Sequence, residues 1–169
     1  MAVKFDVKMT QRAMFDFTLY TSYTSISGIA GVVLGGAGLV MTIQHLAAGD
    51  MSGATPFVLI ALFFLVANPI TMWTRSADQV LKSPMFQKPI TYEFTEEGVV
   101  VSQDGQSALN EWSNFQKAVS TNKSIILYVT KVRALILPRE SLGEQYAAAV
   151  QMISTHMAPR KVKIRHVSS

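Results

Sequence analysis

The chain contains no cysteine. A disulfide framework, a thiolate nucleophile and a Cys-based metal site are therefore excluded, and a reducing compartment fits. Charge is scarce as well. Of 169 residues 15% are charged and 49% hydrophobic, a low charge content for a soluble domain. The scarcity is local. No Lys or Arg lies between Arg12 and Arg75, and the acids of that stretch are Asp16 and Asp50. Inside it are two apolar blocks, about 26–48 and 56–73, split by a short polar turn at 49–55. A bilayer core asks for about 20 mostly apolar residues per helical crossing. A core hairpin of a soluble domain would show polar outer faces, and these blocks do not. A secretory signal fits poorly, because Asp6 and Asp16 precede the first block and a second apolar block follows at once. The expectation is a membrane hairpin.

The net charge is +4, and its distribution says more than its total. Residues 1–25 carry +1, residues 26–73 carry −1 through Asp50, residues 74–88 carry +2, residues 89–157 carry −2 and residues 158–169 carry +4. The basic excess lies beside the apolar blocks and in the tail. Nucleic-acid binding asks for a basic face on the fold itself, so no nucleic acid is expected. Lys and Arg flank the pair of blocks on both outer sides, and none lies in the turn. By the positive-inside rule both termini are cytoplasmic. Tyr20, Tyr23 and Trp73 suit an interfacial belt on that side.

Ser27, Gly31 and Gly35 recur every four residues and line one face of the first span. Small residues there let another helix backbone approach closely. The neighbour is the second span, or alternatively a second copy in a homodimer. Pro56 is expected in the first turn of the second span, and Asn68-Pro69 at its kink or end. No Lys, Arg, Asp or Glu falls within either block, which argues against a small transporter.

From Pro89 the pattern becomes two-residue, the signature of strands. Ile90, Tyr92 and Phe94 alternate with Thr91, Glu93 and Thr95. Asp104-Gly105 is a strong hairpin signal. Extended pieces follow at 107–112, 114–120, 124–130 and 133–137, with a tight turn at Lys131-Val132. Val3, Phe5 and Val7 alternate with Lys4, Asp6 and Lys8, so the N-terminus supplies a further strand. An amphipathic stretch, 10–23, leads from it to the first span. After Pro138 the period becomes helical. Leu142, Tyr146, Val150, Ile153 and Met157 form one apolar stripe, with Ser141 as N-cap and Glu144 completing a capping box. Pro159 stops the helix, and the basic tail beyond it lacks periodicity. About seven strands and one C-terminal helix result.

That pattern carries a resemblance. The segment Tyr92-Glu-Phe-Thr-Glu-Glu-Gly98, then Trp112, Leu127-Tyr128 and Leu135-Ile-Leu-Pro-Arg139, resembles the YcxB-like family of bacterial proteins. The resemblance implies a pleckstrin-homology-like domain at 89–157, a strongly bent antiparallel sheet closed by a C-terminal helix. It supplies architecture more than activity. The fold class expected is thus a membrane α-helical hairpin joined to an α+β, largely β, cytoplasmic domain. The hairpin is inserted between the first strand of that domain and the rest.

Chemistry is thinly represented. His45, His156 and His166 show no metal-pair spacing. Glu93, Glu96, Glu97 and Glu111 fall on strands or turns. The glycines of the first span have neither a strand before them nor a P-loop Lys after them. No enzyme activity, cofactor or metal is expected. Binding is expected instead. The leading expectation is a bacterial inner-membrane module that holds a protein or peptide partner. The alternative is a sensor or regulator binding anionic lipid through Arg160, Lys161, Lys163 and Arg165. Lys131 and Arg133 share one turn and are candidate ligand-loop contacts. A reporter fused after Ser169 is expected to lie on the cytoplasmic side. A periplasmic signal from that fusion would overturn the assigned topology.

Overall fold

The computed structural model describes residues 3–131 and 133–164. The chain forms two compact units. One is built from residues up to Phe17 and from Asp78 onward, the other from Thr18–Ala77.

The first unit holds two four-stranded sheets. In the first, β1 (Val3–Val7) pairs with β2 (Ile90–Phe94), β2 with β3 (Gly98–Gln103) and β3 with β4 (Gln106–Glu111), all antiparallel. The N-terminal strand runs from Val3 opposite Phe94 to Val7 opposite Ile90. Its alternation is the cause of its seat: Val3, Phe5 and Val7 are buried and Lys4 and Asp6 exposed. The helical residues are therefore an insertion in the chain path of this sheet. Asp104 and Gly105 take φ of 52° and 77°, the paired positive angles of a type I′ turn.

The second sheet has the order β7-β6-β5-β8. Its members are β5 (Lys117–Ser120), β6 (Ser124–Tyr128), β7 (Ala134–Pro138) and β8 (Val162–Lys163). The extended piece expected at 114–120 is shortened. Trp112–Asn114 forms a 3-10 turn that carries the Trp112 ring inward, and its Nε1–H donates to the Thr95 carbonyl at 2.9 Å. The strand β8 was not foreseen. It lies parallel to β5, with Val162 opposite Ala118. The basic tail is therefore tied into the domain as far as Lys163. Two residues of parallel pairing leave no periodicity for a sequence to display.

The C-terminal helix also differs from expectation. Ser141 is not its N-cap. A short helix, α6 (Arg139–Leu142), begins earlier, and Ser141 lies inside it. At Gly143 φ is 49° and ψ −126°, a conformation that glycine adopts without steric cost. The chain breaks there, passes through one 3-10 turn, and restarts as α7 (Tyr146–His156). The stripe survives the break: Leu142, Val150, Ile153 and Met157 are all buried. They join Phe94, Phe115, Ile125, Leu127 and Leu137 in one core, with Met14 of α1 (Gln11–Tyr23). Each such side chain stabilises by about 1.5–3 kcal/mol on burial.

The second unit holds the apolar helices. Two are long and apolar enough to cross a membrane, α2 (Ile26–Ala47) and the run Met51–Lys82. Only 17% and 6% of their most apolar windows are buried within the protein. A soluble core helix would be mostly covered. The second run starts sooner than Pro56, as α3 (Met51–Leu62), because the Asp50 carboxylate accepts from Gly53 N–H at 2.9 Å and caps it. Asn68-Pro69 does not end the run. A π-helical turn at Phe63–Ala67 lets Asn68 N–H reach the Phe63 carbonyl, and α4 (Asn68–Lys82) continues. Pro69 has no N–H for the Leu65 carbonyl, and a widened turn is a recognised way to absorb that loss.

The buried face of α2 is Gly31, Gly35, Gly38 and Thr42. Ser27, expected on that face, is exposed. It lies in the first turn, beside the N-cap Ser25. A methyl group on Gly31 would meet Phe64 at 3.1 Å, and one on Gly35 would meet Leu65 at 2.8 Å. One on Gly38 would stand 3.0 Å from the Phe57 carbonyl oxygen, while Gly36 has nothing within 4 Å. Gly38→Val is therefore expected to destabilise the hairpin by about 1–3 kcal/mol. Gly36→Ala is expected to leave it unchanged or stabilise it by up to about 1 kcal/mol. Unfolding of both variants in mixed micelles measures the difference.

Candidate functional site

The first candidate is a groove beside β7. Among the described residues this strand pairs with β6 alone, so its outer edge is open to a further strand. A cavity of about 310 Å³ runs along it. Leu135 and Ile136 form one wall, Met14 and Phe17 of α1 another, and Met85 and Phe86 of α5 (Pro84–Gln87) a third. The α5 wall is held by the first sheet. Gln103 Nε2 donates to the carbonyls of Met85 at 2.7 Å and Lys88 at 3.1 Å. The Lys88 ammonium meets the Asp104 carboxylate at 2.9 Å. That pair is exposed and contributes little by itself, but it places the helix next to the Asp104-Gly105 turn. Arg133 is the charged residue of the groove lining, with Gln79 and Asn110 as its amides.

The second candidate is a cluster at the far end of α7. The His156 ring stacks on Trp112, with centroids 5.2 Å apart and planes 15° from parallel. Its Nδ1 is 2.9 Å from the Met152 carbonyl oxygen and its Nε2 2.8 Å from the Glu96 carboxylate. The His156 side chain is 17% exposed and that of Glu96 83%. The Met152 carbonyl first, and Glu96 second, hold the imidazole above its ordinary pKa. A second cavity of about 310 Å³ opens beside the pair, lined also by Gln151, Met152 and Thr155.

The residues expected to carry function are placed as follows. Lys131 and Arg133 lie on the β6–β7 connection, and Arg133 alone of the two lines the groove. Val132 between them is outside the described residues. Gly31 and Gly35 face Phe64 and Leu65 within the hairpin. Arg160 is exposed, whereas Lys161 Nζ donates to the Phe115 carbonyl at 3.0 Å and Lys163 sits in β8. Arg165 lies outside the described residues. Between the spans, the Asp50 carboxylate also meets His45 Nδ1 at 2.9 Å, and the His45 ring stacks on Phe57. The Gly53 N–H, and then His45, hold the Asp50 carboxyl below its usual range. The sequence pattern does not join His156 to Glu96 and Trp112. Three positions that far apart in the chain share no local spacing, so no sequence signal was available.

The class defined by this arrangement is a two-sheet domain whose first strand is separated from the others by a pair of potential membrane helices. Within it, residues 94–153, from the end of β2 into α7, match the model of the YcxB-like protein family. The resemblance seen in the sequence is borne out over that segment. No curated protein and no solved structure matches the chain.

Trp112 joins the strand turn to the helix end, so its replacement tests the cluster. Trp112→Phe removes the donor to Thr95 and reduces the ring beneath His156. A loss of about 1–3 kcal/mol is expected in urea unfolding of the full chain in detergent.

Proposed function

We propose that this protein is a non-catalytic binding module anchored in the bacterial inner membrane, with both termini in the cytoplasm and a pleckstrin-homology-like domain that holds a protein partner. The strand order supports the domain assignment, with four antiparallel strands, three more, and then the helix. The charge-free spans and their basic flanks support the anchoring and its direction.

The observation that carries the binding reading is the groove along the open edge of β7. An added strand gains affinity from main-chain hydrogen bonds, and side-chain pockets give it specificity. The groove offers both, with Met14, Phe17, Met85 and Phe86 beside the edge. Methionines adapt to irregular apolar partners. The partner segment that fits is extended and apolar, with an acidic residue opposite Arg133. Anionic lipid is the weaker occupant of this domain, because Lys161 is already bound to the Phe115 carbonyl.

The test must use the full chain, since a fragment starting at Pro89 lacks β1. A photo-crosslinking residue placed at Leu135 or at Met85 is expected to trap the same protein in cells. The adduct should be absent from Leu109 on β4 and lost on Arg133→Glu. Equal trapping at Leu109, or none at Leu135, would count against the proposal.

A further inference from the structure

We propose that Glu96 and His156 form a proton-operated latch, fastening the β2–β3 turn to the end of the C-terminal helix in the wall of the cavity beside them. The inference does not depend on the partner groove, which is lined by other residues.

The geometry sets the protonation state. The Met152 carbonyl only accepts hydrogen bonds, so the ring nitrogen facing it carries a hydrogen. The Glu96 carboxylate also only accepts when ionised, so the other nitrogen carries one too. Glu96 is well exposed, the setting in which a carboxylate keeps its charge solvated. His156 in this arrangement is therefore an imidazolium. Two further features favour that cation. The Trp112 ring lies against it at 5.2 Å, within the range of a cation–π contact. His156 is also the last residue of α7, where the helix carbonyls favour positive charge.

Deprotonation removes the hydrogen that Nε2 donates to Glu96. A carboxylate then faces a lone pair, and the contact turns from attractive to repulsive. Among the described residues, Glu96 is the charged group placed against the ring. The other groups packed there are uncharged: Trp112, Val3 of β1, and Gln151 and Thr155 of α7. Lys4, beside Val3, is bound to Glu93 at 3.2 Å. The His156 pKa is raised in the folded chain. The contact thus contributes in full below about pH 6.5, the ordinary histidine value. It is lost as the pH rises through the raised folded value. The latch is closed at low pH and open at high pH.

The absence of cysteine makes the test direct. A single cysteine at Ala148, which lines the cavity, is labelled with a maleimide in the full chain in detergent. Its rate is divided by that of a cysteine at exposed Gln106. The normalised rate is expected to rise several-fold as the pH is raised from 6 to about 9, bracketing the ordinary histidine value. Glu96→Ala should make it fast and flat across the range, and Glu96→Gln, whose amide can pair with the ring in either protonation state, should make it flat. In parallel, the His156 ring proton is followed by NMR in a His45→Gln, His166→Gln background. Its midpoint should lie above that of a free imidazole and fall towards it in Glu96→Gln. A flat normalised rate in the wild-type chain, or a midpoint unmoved by Glu96→Gln, would overturn the latch.

Discussion

The pairing of β1 with β2 is the contact on which the remaining arrangement rests. Two strands from opposite sides of the apolar hairpin meet in full register over five residues. The pairing is held by side chains on one face. Phe5 stacks on Tyr92 at 5.9 Å and meets Phe94 edge-on at 5.9 Å, and Phe94 in turn meets Trp112 edge-on. Aromatic cross-strand pairs of this kind contribute about 0.5–1.5 kcal/mol beyond their buried area. Tyr92 is so enclosed that its hydroxyl pKa is pushed up to about 12, so it stays neutral across the physiological range. Closing the chain over so long an insertion costs less than intuition suggests, because loop-closure entropy grows only logarithmically with length. A five-residue strand with three buried side chains is enough to offset it.

With β1 seated, β2 has partners on both sides. Among the described residues, the β7 edge of the second sheet is left unpaired. Exposed strand edges invite pairing with other chains, and proteins usually shield them with charge, proline or a covering element. Here Pro138 closes one end of β7 and Arg133 precedes the other. The helices α1 and α5 stand beside the edge and form a trough along it. The α5 wall is anchored through Gln103 and Lys88 to the first sheet. An edge presented in an apolar trough is a selective surface, because a partner must match the pockets as well as the ladder.

The features legible in the sequence are those written in short periods. Alternation at Val3, Phe5 and Val7, the Asp104-Gly105 turn and the charge-free blocks each reflect a local rule, and the structure follows them. The features that escaped are those in which a distant contact overrides a local signal. Ser141 and Glu144 spell a capping box, yet Gly143 between them breaks the helix so that Leu142 and Val150 both reach the core. Pro56 looks like a first-turn residue, but the Asp50 side chain starts the helix earlier. The basic residues after Pro159 look like a free tail. Lys161 nevertheless reaches the Phe115 carbonyl, and Val162 finds Ala118. The His156 cluster needs three segments together and has no local signature.

The hydroxyl groups of the spans bear on what the hairpin is for. A lipid environment offers no water to satisfy polar groups, so each must find a partner within the protein. Thr42 donates to Gly38, Thr55 to Met51 and Thr71 to Ala67 and Asn68, each a carbonyl of its own helix. Ser76 donates to Met72 in the same way. Hydroxyls bonded back to the preceding turn are not aimed at a central path. The small residues of α2 are likewise used up in close approach to Phe57, Phe64 and Leu65. Span polarity is thus spent on the stability of the two helices and their contact. That use is compatible with an anchoring role for the hairpin.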